Sequence, residues 1–481
     1  MIVSDPVALE RVEVAIIGSG PGGSVVAATL ANAGKSVLLI EEGANLPQDS
    51  CQPFSFQEMK QKYRAGGIAA AVGRPNVAYA EASCVGGGSE VNSGLYHRTP
   101  DDVLEEWVHE FSVEDLSPAS LEPHFAACET VMQPATYSAA LPAASRLLRE
   151  GAEARGMESS DVPRLVVFDD TLDPQGVARS ARRSMTESFI PEFLAADGKL
   201  LPKTRVHKLR KQGRNWQIQA RWQNRNVQIE AENVFICAGA IHSPALLQRS
   251  GIRLNAGRSL SMQPMIKLTA EFAEPVNYPG MGIAGEQVRD LNSDCSLGCA
   301  ISSRAHLAIN LVGVDAGPAS AIKQQSHLVS YYVMARGCTD GSVRALPGFD
   351  DPLVSYRLSG RELDNLGSGL KVLTGVLVAA GASRVYTGLH RQPVVENPGQ
   401  AEQLPDRLAP GTDSIMTIHL MASCPMGEAR NRTAVDSWGK VHGHTGLYLA
   451  DVSTLCSSPG INPQGTIMAL ARRNSEHFLR V

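Results

Sequence analysis

The feature that most restricts this chain is a glycine turn set between two apolar runs near its start. Residues 12–17 read Val-Glu-Val-Ala-Ile-Ile, and Gly18-Ser19-Gly20-Pro21-Gly22-Gly23 follows without a break. Residues 24–33 are small and apolar and stop at Gly34, a helical pattern; residues 37–40 form a second apolar run ending at Glu41. Strand, tight turn, helix and strand make a βαβ unit, and such alternation predicts a parallel sheet covered by helices. Gly18 permits the turn, Gly20 lets the backbone approach a pyrophosphate, and Gly23 lets the helix lie close to the strand. Ser19 and Pro21 sit where the helix start offers free N–H groups and partial positive charge to phosphates. Glu41 follows Gly18 by 41 − 18 = 23 positions, where an acid accepts hydrogen bonds from ribose hydroxyls. These residues point to an ADP-containing ligand and do not distinguish FAD from NAD.

Length and charge narrow the rest. At 481 residues the chain exceeds one compact core, and two or three domains are expected. Its net charge of 44 − 49 = −5, with no block of like charge, carries none of the basic footprint of a nucleic-acid binder. Asp5, Glu10, Arg11 and Glu13 interrupt the N-terminus, so no secretory signal is expected. The longest apolar runs fall far short of the roughly 20 residues of a membrane span. Nine scattered cysteines, an odd number, suggest reduced thiols and a cytoplasmic protein. Cys295 and Cys299 are a close pair without a second ligand cluster, so no metal site is expected.

Further along, the pattern changes to period two. Residues 266–272, 307–312, 328–334 and 353–358 alternate between Gly/Asp/Pro turns, which predicts an antiparallel sheet. A helix is expected over residues 362–380, ending at Gly381, and buried strands return near residues 233–238 and 446–450. The expected fold is α/β: a Rossmann-like nucleotide domain of separated segments with a mainly antiparallel substrate domain inserted. The expected division places the nucleotide domain at 1–130, 181–262 and 411–481. A connecting segment covers 131–180, and the antiparallel domain covers 263–410.

A second glycine loop, Val85-Gly86-Gly87-Gly88-Ser89-Glu90-Val91-Asn92-Ser93-Gly94, suits close backbone approach to a flat or charged ligand. With this loop the chain resembles the glucose–methanol–choline (GMC) oxidoreductases, a family of FAD-dependent enzymes. Further stretches carry the resemblance: Leu-Leu-Ile-Glu-Glu-Gly at 38–43, Cys-Ala-Gly-Ala-Ile-His-Ser-Pro from 237, His-Leu-Met-Ala-Ser-Cys-Pro-Met-Gly from 419, and Gly-Ile-Asn-Pro-Gln-Gly from 460. The cholesterol oxidase and long-chain alcohol oxidase branches are the nearer ones. The resemblance implies FAD, with Gly87, Asn92, Ser93 and Gly94 at the flavin, Asp451 near the ribityl–phosphate region, and the Val206 backbone at adenine. Relatives with covalent flavin carry a histidine where this chain has Val91, so non-covalent FAD is expected. The chain is short for the family, which implies a trimmed substrate domain.

Alcohol oxidation needs a base that takes the hydroxyl proton as hydride leaves, and histidine suits that task. The resemblance selects His419 as the base and Asn462 as its partner on the same oxygen, with hydride passing to flavin N5. Asn462 reads as an N-cap and Pro463 as a first-turn residue of a helix over 467–479, with Gln464 beside them. Directed at the flavin N1–C2=O edge, that helix start would favour the reduced anionic form. His442 and His444 read as solvated turn residues, and the substrate pocket is expected around residues 328–334. The partners expected are a small-molecule alcohol and an electron acceptor: oxygen, a quinone or a carrier protein. Alternatives on the same scaffold are redox-neutral or light-driven chemistry, as in hydroxynitrile lyases and fatty-acid photodecarboxylases, or flavin binding without catalysis.

Overall fold

The computed structural model describes residues 1–3, 11–138, 140–173, 176–278, 281, 283–292, 294–312, 323–338, 340–409 and 414–481. Asp5, Glu10 and the expected boundary between residues 410 and 411 lie outside them.

The glycine turn joins β1 (Val12–Ile17) to α1 (Pro21–Asn32), which returns to β2 (Val37–Ile40). Every residue of β1 and β2 is buried except half-buried Glu13, as expected of parallel strands covered on both faces. Glu13 keeps its charge at the sheet margin by pairing with Lys35 at 2.6 Å. Around this pair the sheet extends through β3 (Lys199–Leu201), β4 (Thr204–Gln212), β5 (Asn215–Trp222) and β6 (Arg225–Ile236), in the order β3-β2-β1-β6-β5-β4. The first three pairings are parallel, and β6-β5-β4 is an antiparallel meander. The 12-residue β6 is long enough to pair with β5 over its first half and, in parallel, with Leu447–Leu449 over its last residues. Strands from three distant parts of the chain thus build one sheet, and a Rossmann-like α/β domain made of separated segments is the result.

A second sheet runs in the order Ala69–Ala71, Val77–Tyr79, Met416–Thr417, β7 (Met265–Glu271), Leu328–Ala335, Cys295–Cys299, Glu286–Asn292, Ser159–Asp161. Its pairings are antiparallel except that of Met416–Thr417 with Val77–Tyr79. The helix Gly360–Ala379 covers one face, packing Leu366, Leu370 and Leu373 into the same core as Ile266, Leu268 and Val333. It begins two residues before the expected position. Ser359 and Glu362 form a reciprocal capping box there, which satisfies the first free N–H groups.

One expected strand is a helix. Residues 307–312 are expected as a strand, yet Arg304–Asn310 is helical, capped by the Ser303 side chain at His306 N–H. Leu307 and Leu311, four apart, are the buried pair, whereas Ile309 and Val312 are exposed. The period was helical, and six residues were too few to separate the two patterns.

Candidate active site

The two glycine loops meet. Gly18 adopts φ +104°, and a side chain at Gly23 would lie 1.9 Å from the Gly18 carbonyl oxygen, so helix and strand touch backbone to backbone. A side chain at Gly87 would come 2.7 Å from Gly20 Cα, whereas Gly20 itself faces open space. Ser19 links the loops: its Oγ accepts from Gly86 N–H (3.1 Å) and donates to Glu41 Oε2 (2.7 Å). Glu41 also accepts from Ser19 N–H (2.9 Å) and Gly43 N–H (2.8 Å). Burial pushes the Glu41 carboxyl up, and the Gly43 and Ser19 donors oppose that shift. A carboxylate has about four lone-pair sites, so three protein donors leave room for a ribose hydroxyl.

Asn92 and Gln464, 372 positions apart, touch directly: Asn92 Nδ2 donates to Gln464 Oε1 at 2.6 Å, and Asn92 Oδ1 accepts from Gly94 N–H at 3.1 Å. Arg182, unmarked by any motif, braces this loop by donating to the Asn92 carbonyl (3.0 Å) and pairing with buried Glu58. Asp451 accepts from Gly239 N–H (2.8 Å), Ser243 Oγ (2.5 Å) and Ser453 N–H (2.8 Å), tying the end of Leu447–Leu449 to the helix Gly239–Arg249. Burial raises its carboxyl pKa as well.

His419 stands in a row of three side chains. The strand Ser261–Met262 pairs antiparallel with Leu420–Met421, which sets Gln263 beside His419 across 156 positions. Gln263 Nε2 donates to Ser458 Oγ (3.0 Å) and to the Ile461 carbonyl (3.1 Å). A carbonyl only accepts, so the amide orientation is fixed and Gln263 Oε1 faces His419 Nδ1 at 2.6 Å. The ring must then carry its proton on Nδ1, and Nε2 presents a lone pair. Asn462 Nδ2 lies 3.4 Å from that Nε2, and Asn462 Oδ1, buried, has no partner among the described residues. Burial holds the His419 pKa down to about 4.

Asn462 does not cap the last helix. That helix is Gln464–Arg480, and Pro463 occupies its N-cap position without a side-chain bond. The Asn462 side chain faces His419 instead. His442 is buried, with Nε2 3.0 Å from Thr433 Oγ1, so it is a core histidine and not a solvated one. Among the described residues, no three His, Cys, Asp or Glu side chains group as metal ligands.

A cavity of about 1200 Å³ gathers the candidate residues. Gly18, Ser19, Gly20, Pro21, Glu41, Gly87, Asn92, Ser93, Gly94, Val206, His419, Asp451, Asn462, Pro463 and Gln464 all line it, whereas Gly23 is packed behind the turn. The volume exceeds the roughly 300–1,000 Å³ of a pocket for one drug-sized ligand, as a site for both a dinucleotide and a substrate would. None of residues 328–334 lines the cavity: that strand is buried throughout, and neighbouring β7 and the helix Arg304–Asn310 supply the wall.

The family models for GMC oxidoreductases match residues 59–265 and 340–471, and one for pyridine nucleotide-disulphide oxidoreductases matches residues 12–93. An uncharacterised GMC-type oxidoreductase of Sinorhizobium fredii is 36% identical, over 96% of this chain and 94% of its own. The chain belongs to the GMC oxidoreductase family. It is therefore a flavin oxidoreductase, and the family implies FAD. GMC relatives include a long-chain-alcohol oxidase of Arabidopsis thaliana, 24% identical over 98% of this chain and 68% of its own. The 5-(hydroxymethyl)furfural oxidase of Methylovorus is 24% identical over 96% of this chain and 98% of its own. In fold, the chain matches pyridoxine 4-oxidase from Mesorbium loti with a TM-score of 0.74 at 16% identity, covering 98% of this chain and 99% of the other. No helix among the described residues is long and apolar enough to cross a membrane.

Proposed function

We propose that this GMC oxidoreductase oxidises an alcohol CH–OH to a carbonyl with non-covalently held FAD. When bound, FAD supplies the hydride acceptor. The loops at Gly18 and Gly87 would hold its diphosphate, Glu41 a ribose, the Val206 backbone its adenine, and the segment from Asn462 to Gln464 with Asn92 its flavin end. The cradle fits: Gly20 leaves open space where a side chain would intrude, and Glu41 keeps an acceptor site. Val91 lines the cavity and offers no nucleophilic atom for a covalent flavin link.

The observation that carries the reading is the row Gln263–His419–Asn462 opening onto that same cavity. Gln263 holds the Nδ1–H tautomer, so His419 Nε2 is free to take the hydroxyl proton. Asn462, on the far side of Nε2, donates to the same alcohol oxygen and orients it. A single Gln263 side chain grips both His419 and the loop leading to Asn462, which fixes the distance between base and partner. The nine cysteines are free and eight are buried, which supports a cytoplasmic setting.

Anaerobic bleaching of the flavin by a panel of aliphatic, aryl, steroid and sugar alcohols tests the reaction; no bleaching by any of them would overturn it. Acid precipitation should leave the yellow chromophore in the supernatant, and colour in the pellet would refute non-covalent binding.

A further inference from the structure

On the substrate wall of the cavity, the ammonium of Lys267 has no carboxylate partner among the described residues. Lys267 lies in β7, and successive residues of a strand point to opposite faces. Ile266 and Leu268 enter the core beneath the helix Gly360–Ala379, and half-buried Lys267, on the other face, lines the cavity. Among the described residues it has no ion pair or hydrogen bond from its ammonium. The titratable group facing it is His306, from the helix Arg304–Asn310, which burial and the Lys267 charge hold neutral. Ile301, Ile309, Val312, Met416 and Ile418 give the wall apolar surface, and Asn310 and Ser414 add uncharged polar groups. These walls lower the Lys267 pKa to about 8, which leaves it mainly charged at neutral pH.

An unpaired ammonium among apolar side chains is costly unless a ligand completes it. We propose that Lys267 is the anion subsite of the substrate cavity, and that the substrate is a hydroxy acid whose alcohol is separated from a carboxylate by an apolar chain or ring. The inference rests on the alcohol-oxidation reading of the same site. A carboxylate fits better than a phosphate monoester: one ammonium balances its single negative charge, whereas a phosphate monoester carries about −1.5 to −2 at pH 7. The spacing is set by β7. Gln263, which holds the base, is four residues before Lys267, and a chain of that length spans at most roughly 14 Å. The alcohol therefore sits at His419, the apolar spacer runs along Met416 and Ile418, and the carboxylate ends at Lys267. The carboxylate is bound and does not react.

The test has a binding arm that needs no turnover. Decanoate, which has no hydroxyl to oxidise, is titrated into the flavin-loaded protein by calorimetry and flavin absorption, with methyl decanoate as the uncharged control. Decanoate should bind roughly 10- to 100-fold more tightly than the ester, the size of one charge-assisted hydrogen bond. Lys267→Met should erase that preference and Lys267→Arg should keep most of it. Equal binding of acid and ester by the wild-type protein overturns the proposal, whether or not the variants fold. In the second arm, ω-hydroxydecanoate and decanol are compared by anaerobic flavin bleaching. Equal efficiency in the wild-type protein overturns the carboxylate subsite and leaves alcohol oxidation standing. Tight decanoate binding lost in Lys267→Met, with no bleaching by any hydroxy acid or by any alcohol, supports the subsite and removes alcohol oxidation.

Discussion

The two ends of the cavity are finished to different degrees. At the cofactor end, Ser19, Glu41, Gly86, Asn92 and Gln464 satisfy one another with bonds of 2.6–3.1 Å. At the substrate end, among the described residues, Asn462 Oδ1 has no partner, His419 Nε2 has a single long contact, and Lys267 has no counter-charge. Groups with spare hydrogen-bonding or charge capacity beside the candidate base are where a reacting molecule would add contacts.

That contrast can be broken most sharply at His419. His419→Ala should lower turnover by roughly 10²–10⁴-fold while flavin content stays at the wild-type level, because the cofactor end does not depend on it. Stopped-flow flavin reduction and the visible spectrum measure the two separately, and near-wild-type reduction would remove the base assignment.

Gly87→Ala probes the other end. Its Cβ would sit 2.7 Å from Gly20 Cα at φ +56°, so the loops must part. Flavin content and flavin-dependent thermal stabilisation should fall severalfold. Unchanged cofactor loading would mean that the loop contact is dispensable.

A smaller effect is expected from Gln263→Glu, which puts a carboxylate against His419 Nδ1. His419 acts as a base only when unprotonated, so kcat/KM should rise with pH through a pKa near 4 in the wild-type protein and plateau above it. The added negative charge favours the imidazolium, so the acid limb should move up towards the ordinary histidine value of about 6.5. An unmoved limb would assign Gln263 a packing role alone. Smallest of all, Ser19→Ala removes the hydroxyl that joins the loops and should weaken FAD binding by about 1 kcal/mol, readable by equilibrium titration of apoprotein.

Much of the cofactor end was legible in the sequence because its geometry is local. Gly18 to Gly23, the helix after them and Glu41 are read from consecutive residues, and the structure keeps that spacing. Asn462 was legible as a residue and misread in its setting. An Asn before a Pro looks like a cap, yet the helix begins at Gln464 and the amide turns to His419. Residues 307–312 were misread as a strand because six residues fit either period. Gln263, Lys267 and Arg182 carry no motif. Each is a common residue type whose meaning lies in which face it occupies.

The sequence by itself determined that a strand, a glycine turn and a helix open the chain in the order of a dinucleotide fold, that FAD is the expected group, and that an antiparallel domain interrupts the sheet. Those conclusions follow from hydrophobic period, glycine spacing and motif order, which are properties of neighbours in the chain. Only the tertiary structure decided which nitrogen of His419 carries the lone pair, what Asn462 faces, and that Lys267 enters the cavity with no carboxylate beside it among the described residues. The reason is register. Antiparallel pairing of Ser261–Met262 with Leu420–Met421 sets Gln263 against His419, and the pleat of β7 turns Lys267 away from the core. Sheet hydrogen bonds between distant segments fix both, and no local pattern encodes them.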